Sequence, residues 1–184
     1  MGAILASELN AELDAVLSRK LWAPNRPEYA IGAISENGDM ILNEEARRLT
    51  SASDEYVAME RQHQLEEIDR RKHLIRQLRK PATIEGRSVI VTDDGIATGA
   101  TMIAALKTVR LQKPFELIAA VPVAPPARMA EIQKYCDTAL CLHAPRDFWA
   151  VGQFYRDFAQ VEDEDVLRLL RESTVRKLHS GPKR

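Results

Sequence analysis

The sequence predicts an α/β fold in which helices flank a parallel sheet. Strand and helix signals alternate along the chain, which is typical of parallel strands joined by crossover helices. Residues 88–92 form a short run rich in β-branched apolar side chains, as expected for a strand covered on both faces. The chain has 184 residues, 45% of them apolar, which is enough for a core and fits one domain over residues 1–184.

The first half of the chain begins with helix and strand signals and ends in a long helix. A helix is expected over Gly2–Leu9, and strands over Leu13–Leu17, Tyr29–Ile34 and Met40–Leu42, the last two joined by a turn at Asn37-Gly38. Ser53 is a typical helix cap, so a charged helix is expected from there to about Arg79, before Pro81. Its apolar face is marked by Leu65, Ile68, Ile75 and Leu78.

The second half alternates strands with helices. Strands are expected at Ser88–Thr92, Phe115–Val121 and Thr138–Leu142. Helices are expected at Ala100–Leu111, from near Pro126, and at Asp163–Leu178. The last helix carries apolar Val166, Leu169, Leu170 and Leu178, and the basic tail Gly181–Arg184 follows it.

The most informative segment joins the strand at 88–92 to the helix that starts at Ala100. Asp93 and Asp94 follow the strand directly, at the end where open α/β sheets bind their ligands. Gly95, Gly99 and Ala100 allow the backbone to approach an anion closely. The helix would aim free N–H groups and its positive dipole end at that anion. The segment therefore predicts a phosphate site beside hydroxyls or a metal.

A purely structural interpretation of this segment is also open. Asp94-Gly95 is a common turn pair, and Thr98 or Thr101 could act as an ordinary helix cap. Two other phosphate loops fit less well. A Walker loop needs a Gly-Lys-Ser/Thr ending, but no Lys lies between Arg87 and Lys107, and the G-x-G-x-x-G pattern is absent.

Composition and charge exclude several classes of function. A net charge of −1 argues against nucleic acid or an anionic membrane as a partner, and no apolar run approaches the length of a membrane span. Cys136 and Cys141 have no zinc or redox spacing, which favours reduced thiols in a cytoplasmic protein. The four histidines, His63, His73, His143 and His179, show no metal-ligand spacing.

The phosphate segment resembles a motif of a known family. Type I phosphoribosyltransferases have a hydrophobic strand, two acids and a phosphate loop that are similar to Thr92-Asp93-Asp94-Gly95-Ile96-Ala97-Thr98-Gly99-Ala100-Thr101. Five further segments resemble a bacterial and archaeal branch of predicted phosphoribosyltransferases: Arg19-Lys20-Leu21, Ala23-Pro24, Glu28–Ala33, Ala120–Pro125 and Phe148–Phe158. The resemblance covers nearly the whole chain, so residues 1–184 are interpreted as one phosphoribosyltransferase domain.

The resemblance implies a Mg²⁺-dependent enzyme. Such an enzyme transfers the phosphoribosyl group of 5-phosphoribosyl 1-pyrophosphate to a nitrogen base and releases pyrophosphate. Asp93 and Asp94 would contact the ribose hydroxyls and the metal, and Lys20 would be a further catalytic residue. The implied substrate-binding residues are Arg19, Asp93, Asp94, Gly95, Ile96, Ala97, Thr98, Gly99, Ala100 and Thr101. A homodimer is usual in the family and is expected here.

Three other regions have both a functional and a structural interpretation. Arg19 and Lys20 could hold the pyrophosphate or be solvated. Residues 53–82, with Arg70, Arg71 and Arg76, could form a mobile lid, although a solvated helix face fits the charge pattern better. Residues 143–184 are expected to form the hood over the base. Their aromatic side chains could stack on that base or pack in the core; they are Phe148, Trp149, Phe154, Tyr155 and Phe158.

One departure from the family pattern concerns the start of the sequence. In the family, a strand and a pyrophosphate-binding loop precede the first helix. Here the sequence begins with Met1-Gly2-Ala3-Ile4-Leu5, which resembles the start of that first helix. Either the natural chain contains these elements upstream, or it lacks them and transfer would be impaired. Two other functions therefore stay open: a non-catalytic regulator that binds the same ligand, and a phosphate-handling hydrolase, which the adjacent acid pair fits least well.

Overall fold

A computed structural model describes residues 1–159 and 161–179 of the chain. Within these residues, six helices and two three-stranded sheets follow one another. The helices are α1 (Gly2–Glu8), α2 (Glu44–Leu49), α3 (Asp54–Leu78), α4 (Ala100–Arg110), α5 (Pro126–Ile132) and α6 (Asp163–His179). The strands are β1 (Ser18–Ala23), β2 (Arg26–Ser35), β3 (Met40–Leu42), β4 (Ser88–Thr92), β5 (Glu116–Val123) and β6 (Thr138–His143). Short 3₁₀ turns lie at Gln133–Tyr135 and Val151–Phe154.

The second half of the chain forms the predicted parallel sheet, with the strand order β4-β5-β6. Ser88 is in register with Glu116, and Ile118 with Thr138. Alternate residues of β5 are buried, including Leu117 and Ala119, and they share a core with buried side chains of α4. The α/β class is therefore confirmed, because parallel strands joined by helices form the sheet that carries the acid pair.

The first half forms an antiparallel sheet, of which the sequence predicted only the hairpin between Tyr29–Ile34 and Met40–Leu42. β1 and β3 both pair with β2, and both connections are short turns. A short turn can join only antiparallel neighbours, whereas parallel neighbours need a crossover of a dozen or more residues. The strand predicted at Tyr29–Ile34 and the hairpin partner Met40–Leu42 are confirmed. The Asn37-Gly38 turn places Gly38 at φ +84°.

The strand predicted at Leu13–Leu17 is wrong, because the first strand begins only at Ser18. The Asp14 carboxylate instead accepts hydrogen bonds from Arg76 of α3 at 2.8 Å and from the Ala82 N–H at 2.8 Å. Arg79 also donates to the carbonyl of Leu13. These contacts tie the segment to the C-terminal end of α3 rather than to a sheet edge.

The long charged helix is confirmed as α3, and the Ser53 hydroxyl caps it by accepting from the Tyr56 N–H at 3.2 Å. Ile68 and Ile75 of the predicted apolar face are buried. Helix α2, which the sequence did not predict, has a side-chain cap from Asn43. The remaining predicted elements agree within two residues at each end. The Leu178 side chain and the tail Gly181–Arg184 lie outside the part of the chain whose placement is described.

Among the described helices, none is long and apolar enough to cross a membrane.

Candidate active site

Asp93 and Asp94 lie at the carboxyl end of β4, where the strand leaves the sheet. Val91 anchors the strand in the core with only 7% of its surface exposed. The Asp94 N–H donates to Oδ1 of Asp93 at 2.9 Å, which holds the Asp93 carboxylate against the main chain of Asp94. Because Val91 is buried, the end of β4 has a fixed position, and the two acids that follow it are exposed to solvent.

The loop after the acid pair is fixed by two close contacts. The Ile96 N–H donates to the Val123 carbonyl at 2.9 Å, and the Ile96 side chain is buried. A Cβ on Gly95 would come within 2.8 Å of Val151 and 2.9 Å of Val123, so a side chain does not fit there. The loop therefore rests tightly against the end of β5, while Ala97 and Thr98 face solvent.

Gly99 begins α4 with a left-handed backbone. It is the N-cap of the helix at φ +86°, and no side chain caps the first turn. The alternative in which Thr98 or Thr101 caps the helix is therefore wrong. A helix start without a side-chain cap leaves backbone N–H groups for an anion, and the helix dipole favours negative charge there.

A cavity of about 520 Å³ adjoins the acid pair. It lies between the start of β1, the end of β4 and parts of α3, α4 and α6. Charged groups from four elements line it: Lys20, Arg71, Asp93, Asp94 and Asp163. The Thr92 hydroxyl, on the same wall, is buried without a hydrogen-bond partner among the described residues. The cavity therefore presents to a ligand charged groups of both signs and one hydroxyl without a partner among the described residues.

Lys20 and Arg19 point to different parts of the molecule, as neighbouring residues of a strand do. Lys20 lines the cavity, and its Nζ lies 5.5 Å from the centre of the Trp22 ring. Arg19 is not among the lining residues. Its Nε donates to Gln64 of α3 at 2.5 Å, and Gln64 donates in turn to the buried Glu60 at 2.9 Å. Only Lys20 of the predicted cation pair shares the cavity with the acid pair.

Both acids have a raised pKa. Their carboxylates are reachable by solvent but lie against a concave wall, and the surrounding protein atoms limit hydration of the charged form. This desolvation is the main reason that the pKa of Asp93 is above its usual range, and the negative charge of Asp94 raises it further. Desolvation also raises the pKa of Asp94, whereas the Gly95 N–H and the charge of Lys20 oppose the rise. An approaching cation would favour the charged form of both groups.

The acid pair fits Mg²⁺ better than it fits a metal held by protein alone. The described residues contain no cluster of three or more His, Cys, Asp or Glu side chains that could hold a metal. Mg²⁺ is commonly held by one or two carboxylates together with water and substrate phosphates. Asp93 and Asp94 supply two hard oxygen donors of this kind, and Arg71, which lines the same cavity, pairs with Asp163.

The region predicted as a possible lid is, in the structure, the continuous helix α3. Arg76 pairs with Asp14 at 2.8 Å, which is a structural role. Arg70 and Arg71 pair with Asp163 at the start of α6, at 2.9 and 3.2 Å. Arg71, predicted only as part of a possible lid, and Asp163, for which no role was predicted, both line the cavity. Nothing in the sequence indicates that α3 and α6 meet beside β4.

The aromatic side chains of residues 148–158 mostly contact one another or nearby residues, and one of them contacts the acid pair. Phe154 packs edge-on against His143 and lies 5.5 Å from Phe148, centre to centre. Trp149 is 90% exposed. The hydroxyl of Tyr155 donates to the main-chain carbonyl of Asp94 at 2.5 Å. This contact was also missed, because the sequence marks the block as aromatic but does not indicate which ring reaches the acids.

Comparisons with known proteins show a family relationship. A family model described as "Phosphoribosyl transferase domain" matches residues 1–159. Two relatives from Mycobacterium tuberculosis, of the strains CDC 1551 / Oshkosh and H37Rv, are each named "Putative phosphoribosyl transferase". Each is 39% identical over 166 residues, which is 90% of this chain. The chain spans only 38% of the length of these relatives.

A solved structure is similar over most of the chain. The crystal structure of TT1426 from Thermus thermophilus is 40% identical in sequence and superposes with a TM-score of 0.71. The match covers 92% of this chain and 80% of that one.

Proposed function

The chain belongs to the phosphoribosyl transferase domain family, and on that premise we propose that its site binds 5-phosphoribosyl 1-pyrophosphate together with Mg²⁺. We further propose that it transfers the phosphoribosyl group to a nitrogen base. The observation that carries the proposal is the acid pair at the end of β4, followed directly by the start of α4, which has no side-chain cap. A homodimer and a cytoplasmic location are proposed on the family resemblance.

The phosphate loop and the acid pair have separate roles in this proposal. Backbone N–H groups of Ala97–Ala100, with the Thr98 and Thr101 hydroxyls, bind the 5-phosphate. The Ile96 N–H, to which the resemblance gave the same role, donates to the Val123 carbonyl instead. Asp93 and Asp94 accept hydrogen bonds from the ribose hydroxyls and hold Mg²⁺, directly or through water. When bound, Mg²⁺ supplies positive charge to the departing pyrophosphate.

The chemistry is a substitution at C1 of the ribose. The nitrogen lone pair of the base forms the new bond to C1, and the C1–O bond to pyrophosphate breaks with its electron pair on that oxygen. Because the transition state resembles an oxocarbenium ion, the negative charges of Asp93 and Asp94 stabilise it. Lys20, which lines the cavity beside the acids, is placed to offset the charge of the pyrophosphate.

Thermal unfolding tests the binding step. At a concentration about a hundredfold above its Kd, Mg²⁺ with 5-phosphoribosyl 1-pyrophosphate is expected to raise the melting temperature by about 5–10 °C. The double variant Asp93→Asn, Asp94→Asn should lose this rise. The control is the double variant Asp137→Asn, Asp165→Asn, which removes the same two charges at positions outside the cavity. This control should keep the ligand-dependent rise in melting temperature. A rise that survives in the Asp93/Asp94 variant would exclude the acid pair from the site.

Release of pyrophosphate tests the transfer step. The chain is incubated with 5-phosphoribosyl 1-pyrophosphate, Mg²⁺ and each member of a panel of nitrogen bases, and pyrophosphate is measured by a coupled assay. We expect base-dependent release that the Asp93→Asn, Asp94→Asn variant abolishes. Binding without release for any base would favour the regulatory function.

A further inference from the structure

We propose that Tyr155 is a positioning residue, which fixes the peptide group between Asp94 and Gly95 and thereby orients the acid pair and the phosphate loop. The ligand-binding part of this inference rests on the proposed function. The positioning part concerns the protein alone and can be measured without any ligand.

The peptide group between Asp94 and Gly95 is held at its carbonyl oxygen. The Tyr155 hydroxyl donates to its carbonyl oxygen, at 2.5 Å. The N–H of the same peptide group, which belongs to Gly95, interacts with the Asp94 carboxylate and opposes the rise of its pKa. A rotation of this peptide group would therefore break the Tyr155 contact and change the surroundings of the Asp94 carboxylate.

The same segment of chain also contacts the loop through apolar atoms. A Cβ on Gly95 would lie 2.8 Å from Val151, so Val151 lies directly against this glycine. Residues 151–155 thus touch the loop at two consecutive residues, with an apolar contact at Gly95 and a hydrogen bond at Asp94. The two contacts restrict the movement of the backbone at Asp94 and Gly95, where the acid pair joins the loop.

Tyr155 is itself held in place by packing. Its ring lies 5.2 Å from that of Phe158, centre to centre. Phe158 in turn lies against Gly152, where an added Cβ would be only 2.9 Å from the Phe158 ring. The hydroxyl is therefore presented to Asp94 by a folded unit of residues 151–158, and the Phe variant would keep that packing while losing only the donor.

The test compares Tyr155→Phe with Tyr135→Phe in the full chain. Tyr135 is partly buried against the core beside α4 and does not line the cavity of the acid pair. Tyr135→Phe therefore removes one tyrosine hydroxyl away from the site and serves as the matched control. The first readout is amide hydrogen exchange in the ligand-free protein. The Ile96 N–H reports on the loop, and the Leu117 N–H, held by the Asp137 carboxylate at 2.7 Å in β5, reports on the sheet.

We expect exchange at Ile96, measured relative to Leu117, to be about fivefold faster in Tyr155→Phe and unchanged in Tyr135→Phe. The second readout is calorimetric titration with Mg²⁺ and 5-phosphoribosyl 1-pyrophosphate. Tyr155→Phe is expected to bind about fivefold more weakly, while Tyr135→Phe binds as the unsubstituted chain does.

Each outcome bears on a different statement. Unchanged exchange at Ile96 in Tyr155→Phe overturns the positioning role, whatever the ligand does. Faster exchange with unchanged affinity overturns the link between the contact and binding. If the unsubstituted chain does not bind the ligand at all, the proposed function fails, and the exchange ratio still decides whether Tyr155 holds the loop.

Discussion

Arg19 of β1 donates from Nε to Gln64 of α3 at 2.5 Å, and this hydrogen bond turns it away from the cavity that its neighbour Lys20 lines. Gln64 also donates to Glu60, whose carboxylate accepts the Trp22 N–H at 3.0 Å. Gln64 and Glu60 are both buried, so this chain of hydrogen bonds satisfies polar groups between α3 and β1. Two adjacent cations thus have different environments, from which we expect different roles.

Substitution of the two cations should separate stability from binding. Arg19→Met leaves the buried Gln64 without its donor, so the free energy of unfolding should fall by about 1–2 kcal/mol. Lys20→Met removes an exposed charge and should change that free energy by less than about 0.5 kcal/mol, while it weakens the binding of 5-phosphoribosyl 1-pyrophosphate. Urea unfolding and calorimetric titration measure the two effects. Equal loss of affinity in both variants would show that Arg19 also serves the ligand.

The left-handed backbone at Gly99 predicts a specific loss of binding. Gly99→Ala places a side chain at φ +86°, which should cost about 1–2 kcal/mol of stability and distort the start of α4. Gly86→Ala is the matched control, because Gly86 has φ +71° and open space around a Cβ but lies outside the loop that leads from the acid pair into α4. Both variants should lose similar stability in urea unfolding. Only Gly99→Ala should lose the ligand-dependent rise in melting temperature, and a rise that persists there would contradict its role in the loop.

The local elements of the site could be predicted from the sequence, whereas its long-range contacts could not. The strand at Ser88–Thr92 and the helix from Ala100 follow from short-range signals: an apolar run, two acids and a loop of small residues. The contact between Tyr155 and Asp94 joins residues that are 61 positions apart, and the pairing of Arg71 with Asp163 depends on where α6 lies. No periodicity carries that information.

The error at Leu13–Leu17 has the same origin. Its mostly apolar residues fit a strand, but a strand also needs a neighbour, and neighbours are set by the whole fold. Here Asp14 binds Arg76 and the Ala82 N–H, so hydrogen bonds to the end of α3 hold the segment. The local preference of this segment for a strand is therefore weaker than its contacts with residues more than 60 positions away.

The raised pKa of Asp93 predicts that the acid pair destabilises the ligand-free protein. The unfolded chain ionises at the ordinary aspartate pKa, whereas the folded protein keeps the proton to higher pH. The folded state therefore binds more protons between the two values, and the free energy of unfolding falls as pH rises through that window. Asp93→Asn should accordingly melt at a higher temperature than the unsubstituted chain at pH 7, and the difference should vanish below the ordinary aspartate pKa.

Asp137 provides the control of opposite sign. The Leu117 N–H and Arg110 hold the pKa of Asp137 below its usual range, so its charged form stabilises the fold above the ordinary aspartate pKa. Asp137→Asn should therefore lower the melting temperature at pH 7. Scanning fluorimetry of both variants over a pH series measures the two effects, and a lower melting temperature for Asp93→Asn at pH 7 would contradict the expected sign.

The pairing of Asp163 with Arg71 predicts a variant that binds anions more tightly. Both side chains line the cavity, and Asp163 offsets the positive charge that Arg71 would otherwise present to a phosphate. Asp163→Asn should leave Arg71 uncompensated, so the affinity for 5-phosphoribosyl 1-pyrophosphate should rise about twofold to fivefold at low salt and less at high salt. Asp165→Asn loses a pair with Arg168 on the same helix, outside the cavity, and should leave affinity unchanged. Calorimetric titrations at two salt concentrations compare the variants. An affinity that falls in Asp163→Asn alone would show instead that Asp163 holds Arg71 in the position that binding needs.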